Sequence, residues 1–269
     1  MVLPEVSPMT DRHMTTDVAT LVEQVKAGNV RAVSRLITLL ENGGPSEAAV
    51  SAQLTPRRGR ATVIGVTGYP GAGKSTLIAR LIGAYRRLGM TVAVLAVDIS
   101  SRVTGGALLG DRIRMQDWAD DPGVYIRSMA TRGHAGGLAR ATGEAVTVLE
   151  SAGYDVVLIE TIGVGQGELD IMDVADTVVA VVAPGLGDDI QAMKAGLLEV
   201  AHIVVVNKSD HAGAETTWRD LREWCPCVLR VVATTGEGVA DLLALLAEQR
   251  RVHDLAVTTV EPSSQRRRG

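Results

Sequence analysis

The segment Gly68-Tyr69-Pro70-Gly71-Ala72-Gly73-Lys74-Ser75-Thr76 has the form G-x-x-x-x-G-K-[ST]. The residue types suit phosphate. Glycines let backbone N–H groups turn inward around phosphate oxygens, and a helix starting at the lysine presents its positive end to the same charge. On that chemistry Gly68, Gly71, Ala72, Gly73 and Thr76 form the cradle, Lys74 reaches the β and γ phosphates, and Ser75 ligates Mg²⁺. A turn that only caps a helix would use the same glycines. The strand-like run TVIGVT before the motif and the helical run STLIARLIGAYRRLG after it favour a phosphate loop.

Asp98 in VLAVDISS and Glu160 in VVLIETIGVGQ each close an apolar run. At the carboxyl end of a parallel strand a carboxylate faces the ligand crevice, where it holds Mg²⁺ directly or through water. Either could instead cap the following segment. Asn207-Lys208-Ser209-Asp210 ends the run HIVVVN and fits N-K-x-D. The Asp210 carboxylate can accept from both guanine N1–H and the exocyclic amine, a donor pair that adenine lacks, so GTP and GDP are the expected ligands. In VATTGEG the Ala233 N–H is expected to complete the base pocket, with Val232 where a serine is usual. Lys74, Asp98 and Glu160 are the expected catalytic groups.

These residues need a frame. ATVIGVT, TVAVLAVD, DVVLIE, TVVAVVA, HIVVVN and VLRVVA are apolar at nearly every position and alternate with helical stretches. Such runs predict strands buried on both faces, hence an α/β, doubly wound, mostly parallel sheet. Upstream, apolar residues three and four apart in DVATLVEQVKAGNVRAVSRLITLLENGG predict two amphipathic helices broken at Gly28-Asn29. The expected organisation is a disordered 1–15, a helical extension over 16–58, a phosphate-loop GTPase domain over 59–252 and a disordered 253–269.

A chain of 269 residues with formal net charge -4 carries no basic footprint for nucleic acid. No apolar run is long enough to span a membrane, and the start lacks the pattern of a secretory signal. Cys225 and Cys227 stand too close to bridge without strain, which fits a reducing, cytoplasmic setting.

Beyond the phosphate loop, TGGALLGDRIRM, ETIGVGQGE, APGLGDDIQAMKAG and VNKSD resemble the MeaB/ArgK/MMAA-type G-protein chaperones of adenosylcobalamin-dependent acyl-CoA mutases. The resemblance runs from residue 20 to about residue 250. It implies a GTPase, slow alone, that docks on such a mutase and gates cofactor loading, protection and reactivation; the adenosylcobalamin belongs to the mutase. It also implies that Ser75, Asp98, Asp111 and Glu160 surround Mg²⁺, and that Asp188, Gln191 and Lys194 lie in a switch. Ile99 replaces the usual proline, and the usual C-terminal dimerisation arm is expected to be short or absent, which sets a homodimer of the usual kind in question.

Two other functions compete. A nickel-chaperone-like metal-insertion GTPase would want a ligand cluster, whereas the five histidines are dispersed and Cys225-Pro226-Cys227 supplies half a tetrahedral site at best. A phosphate-loop kinase would usually take ATP, against which Asp210 argues.

Overall fold

The computed structural model describes residues 10–42, 50, 53–54, 61–98, 116–130, 137–161, 173–185 and 197–260. Two helices, α1 (Thr10–Lys26) and α2 (Val30–Glu41), lead into β1 (Thr62–Thr67), α3 (Lys74–Arg87) and β2 (Val92–Asp98). There follow β3 (Val124–Ala130), α4 (Gly137–Ala152), β4 (Val156–Thr161), β5 (Thr177–Val182), the short α5 (Leu197–Val200) and β6 (Ile203–Val206). The chain continues through α6 (Ala214–Arg222), β7 (Val228–Arg230) and α7 (Val239–Val260).

The strands form one seven-stranded sheet in the order β3-β2-β4-β1-β5-β6-β7, with every pairing parallel. All residues of β1, β4, β5 and β6 are buried, as expected where helices cover both faces. On one face α1, α2 and α4 pack over Ala93, Leu95, Val157 and Ile159. On the other, α3 and α7 cover Ile64, Val94, Leu158 and Val205.

The helical lead-in is continuous with this core. Asn29 caps α2 by accepting from the Arg31 and Ala32 amides at 3.0 and 3.1 Å. Val33, Leu36, Ile37 and Leu40 then fall on one face and are essentially inaccessible to solvent. Strand β3 is tied to the same helix: Arg127 donates to the Ser34 carbonyl at 3.0 Å and the Thr38 hydroxyl at 2.9 Å, and pairs with Glu41. Helix α1 starts at Thr10, within the stretch expected to be disordered, and α7 runs to Val260, past the expected boundary at 252. Residues 1–9 and 261–269 lie outside the described residues.

Six strands were expected from apolar runs, and β3 is the seventh. Tyr125, Arg127 and Ser128 interrupt its apolar pattern; it is an edge strand, and the Tyr125 and Arg127 side chains meet α2. Strand β7 is shorter than the run VLRVVA, since Val232 turns back to pair with Glu237.

Candidate nucleotide site

The loop between β1 and α3 lies at the carboxyl edge of the sheet, where β1 stands between β4 and β5. Two of its glycines are required sterically. A Cβ on Gly68 (φ +134°) would lie 2.1 Å from the Val181 carbonyl oxygen, and one on Gly73 (φ +96°) would lie 2.3 Å from Asn207 Nδ2. Gly71 and Ala72 complete the turn, and Ala72 is buried. The buried Lys74 ammonium crosses its own loop, donating to the carbonyls of Gly68 at 2.6 Å and Tyr69 at 3.1 Å. A phosphate in the loop would meet that cation without first pulling it in from solvent.

Ser75 opens α3 and Glu160 lies in β4, yet their side chains meet in the interior. Ser75 Oγ donates to Glu160 Oε1 at 2.6 Å, and the two residues are 5% and 1% exposed. A buried hydroxyl beside a carboxylate is a hard oxygen pair of the kind Mg²⁺ takes, so the residues fit the ion. Register opposes Ala96 to Glu160 across β2 and β4, which brings Asp98 to the same edge as the last residue of β2. The Asp98 side chain, Asp111 and the segment carrying Asp188, Gln191 and Lys194 lie outside the described residues.

The motif Asn207-Lys208-Ser209-Asp210 follows β6. Asn207 is 3% exposed, and both ends of its amide are engaged. Nδ2 donates to the Ala72 carbonyl at 2.8 Å, and Oδ1 accepts from the Ala233 N–H at 3.0 Å. Ala233 N–H, expected to face the base, thus serves as an internal tie: the inward-turned Asn207 amide takes that donor. Lys208 adopts φ +56°, the left-handed region a side-chain-bearing residue occupies only where its surroundings hold it. The Ser209 N–H to the Val231 carbonyl (3.1 Å) and Ser209 Oγ to the Val206 carbonyl (2.6 Å) hold the turn. Asp210 is half exposed and lines a cavity of about 140 Å³ with Thr76, Asn207, Lys208, His211 and Thr234. One cavity therefore joins the first turn of α3 to the residues expected to read a base.

Sequence reasoning missed Arg80. From the second turn of α3 it donates through Nε to the Ala233 carbonyl at 2.8 Å and through Nη2 to the Thr234 carbonyl. In the sequence it is one more polar residue on the outer face of an amphipathic helix. His211 and Thr234 were also missed, as ordinary turn residues on both sides of the recognised motifs.

Both cysteine thiols are free; Cys225 packs with Val204, Val206 and Leu221, and burial followed by the neighbouring Cys225 raises the Cys227 thiol pKa. Among the described residues, no group of three or more His, Cys, Asp or Glu is placed to hold a metal ion.

Comparison with known proteins gives the family. A family model described as methylmalonyl Co-A mutase-associated GTPase MeaB matches residues 33–269. A protein of Pyrococcus horikoshii is 50% identical over 86% of this chain and 77% of its own length. The GTPase ArgK of Escherichia coli is 39% identical over 83% of this chain and 74% of its own. Among solved structures, the crystal structure of a LAO/AO transport system kinase superposes with TM-score 0.63 at 26% identity, covering 94% of this chain and 84% of that one. With its glycine-rich loop, a buried serine–glutamate pair and a cavity beside Asp210 at one sheet edge, this chain belongs to the MeaB family of GTPases.

Proposed function

We propose that the protein is a GTP-hydrolysing chaperone that docks on an adenosylcobalamin-dependent acyl-CoA mutase of the methylmalonyl-CoA mutase type and gates loading, protection and reactivation of its cofactor. The observation that carries this reading is the circuit through Asn207, which ties the phosphate loop at Ala72 to the base loop at Ala233. Phosphate grip and base recognition are thereby one mechanical unit, as a nucleotide-state sensor requires. The name of the matching family supplies the partner.

In this reading the loop amides of Gly71, Ala72 and Gly73 and the Lys74 ammonium bind the phosphates, and Asp210 reads guanine. Ser75, Asp98, Asp111 and Glu160 would hold Mg²⁺, which would supply positive charge to offset that of the nucleotide phosphates. The Ser75 hydroxyl would offer the ion an oxygen lone pair while its proton stays on the hydrogen bond to Glu160. Gln166 stands three residues past Gly163, not beside it as in Ras-like proteins, which supports slow turnover until the mutase contributes. The relay to the mutase runs through Asp188, Gln191 and Lys194.

The free cysteines support a cytoplasmic location, and among the described residues no helix is long and apolar enough to cross a membrane. Gel filtration of the chain with the mutase, loaded with GDP or with a non-hydrolysable GTP analogue, tests the docking. Complex formation should depend on the nucleotide, and Asp188→Ala or Lys194→Ala should blunt that dependence. Identical elution in both nucleotide states, for wild type and variants alike, contradicts the switch.

A further inference from the structure

The loop after β7 is closed locally as a turn, with the Val232 carbonyl accepting from the Thr235 N–H at 3.1 Å and the Thr235 hydroxyl at 3.2 Å. The Val232 side chain offers no hydrogen bond and its backbone is occupied locally: its N–H donates to the Glu237 carbonyl at 3.0 Å and its carbonyl accepts from the Gly236 N–H at 2.8 Å. The carbonyls of the turn's two central residues, Ala233 and Thr234, are held from outside the loop. The Arg80 guanidinium presents two donors of its planar fork to two successive carbonyls, Ala233 (2.8 Å) and Thr234. Charge-assisted bonds of this forked kind fix direction as well as distance.

Orientation follows from the peptide itself. In a trans peptide the carbonyl and the following N–H point to opposite sides. With the Ala233 carbonyl drawn to Arg80, the Thr234 N–H is turned away from Arg80. Thr234 and Ala233 both line the cavity of about 140 Å³ that Asp210 shares. Arg80 also closes a ring: from α3 to the base loop, through the Ala233 N–H to Asn207 Oδ1 (3.0 Å), and through Asn207 Nδ2 to the Ala72 carbonyl (2.8 Å) just before α3.

We infer that Arg80 is a positioning residue for guanine recognition: it clamps the Ala233–Thr234 backbone against the phosphate-loop helix and so fixes where that turn stands beside the cavity. The inference rests on the guanine-nucleotide reading of the site.

The test uses the full chain with GDP, ADP and inorganic tripolyphosphate, which occupies the phosphate loop without a base. Arg80→Met keeps the aliphatic stem and removes every donor. Its affinity for GDP should fall about 10-fold, as expected for losing two charge-assisted bonds that shape the base side. Its affinity for tripolyphosphate should stay within two-fold of wild type, which also reports a folded phosphate loop. Arg80→Lys, a single point donor, should recover only part of the loss. GDP affinity within two-fold of wild type in Arg80→Met, or an equal loss for GDP and tripolyphosphate, overturns the positioning role. Wild-type protein that binds ADP as tightly as GDP refutes the guanine reading itself, and the inference falls with it.

Discussion

Truncating Asn207 to alanine should destabilise the protein even with no nucleotide present. The amide is 3% exposed and serves two partners, the Ala72 carbonyl and the Ala233 N–H, in residues that are themselves 1% and 2% exposed. Leaving a buried polar group unsatisfied costs roughly 1–3 kcal/mol, so two such groups would cost roughly 2–6 kcal/mol. The adjoining cavity can admit water to one of them, which brings the expectation to about 3 kcal/mol. With a urea dependence of about 3 kcal/mol per molar for a chain of this size, the unfolding midpoint of Asn207→Ala should fall by about 1 M. The assay is equilibrium urea denaturation of nucleotide-free protein, followed by far-UV circular dichroism. A midpoint shift below about 0.2 M would mean that the circuit joining the two loops carries no strain-bearing load, and the coupling argument built on it would fail.

Other perturbations probe separate parts of the molecule. Asp210→Asn should weaken GDP binding and favour xanthosine diphosphate, because an amide cannot accept from both guanine donors but can donate to a 2-oxo group; nucleotide competition measures this, and unchanged preference contradicts the base assignment. Leu36→Ala should cost about 3 kcal/mol in urea denaturation, since Leu36 is fully buried where α2 meets the sheet; a cost under about 1 kcal/mol would show the helical lead-in to be separable. Glu150 supplies a pH dependence. Burial, then the nearby Asp176 charge, pushes its pKa from 4.5 up to about 7, against the pull of the Ala61 amide and Arg250. A carboxyl raised on folding contributes stability in full below its unfolded pKa and loses it as pH rises through about 7. Glu150→Gln should therefore gain on wild type between pH 5 and pH 8, by up to about 3 kcal/mol, and a pH-independent difference would contradict this.

The chemistry-bearing motifs were legible because each combines local residue types with a place at a strand end. The phosphate loop, the Asn207–Asp210 turn and Glu160 all stand where the apolar runs stop, and the structure brings them to one sheet edge. Strands β4 and β6 were equally legible, being buried on both faces and so apolar at almost every position. Strand β3 was not, because Arg127 belongs to a contact with α2, distant in sequence, that no local pattern reports. Arg80 and the true partner of the Ala233 N–H were hidden for the same reason: their roles arise from side chains meeting backbone far along the chain. The helix limits at Thr10 and Val260 exceed those expected because short polar stretches at helix ends resemble disorder in sequence.

The most direct test of the account is steady-state hydrolysis of GTP, with ATP as control, in the presence and absence of a purified adenosylcobalamin-dependent methylmalonyl-CoA mutase. Slow GTP-specific turnover that rises at least several-fold with the mutase is the predicted result. GTP turnover indifferent to the mutase, from protein that still binds GTP, would contradict the chaperone role.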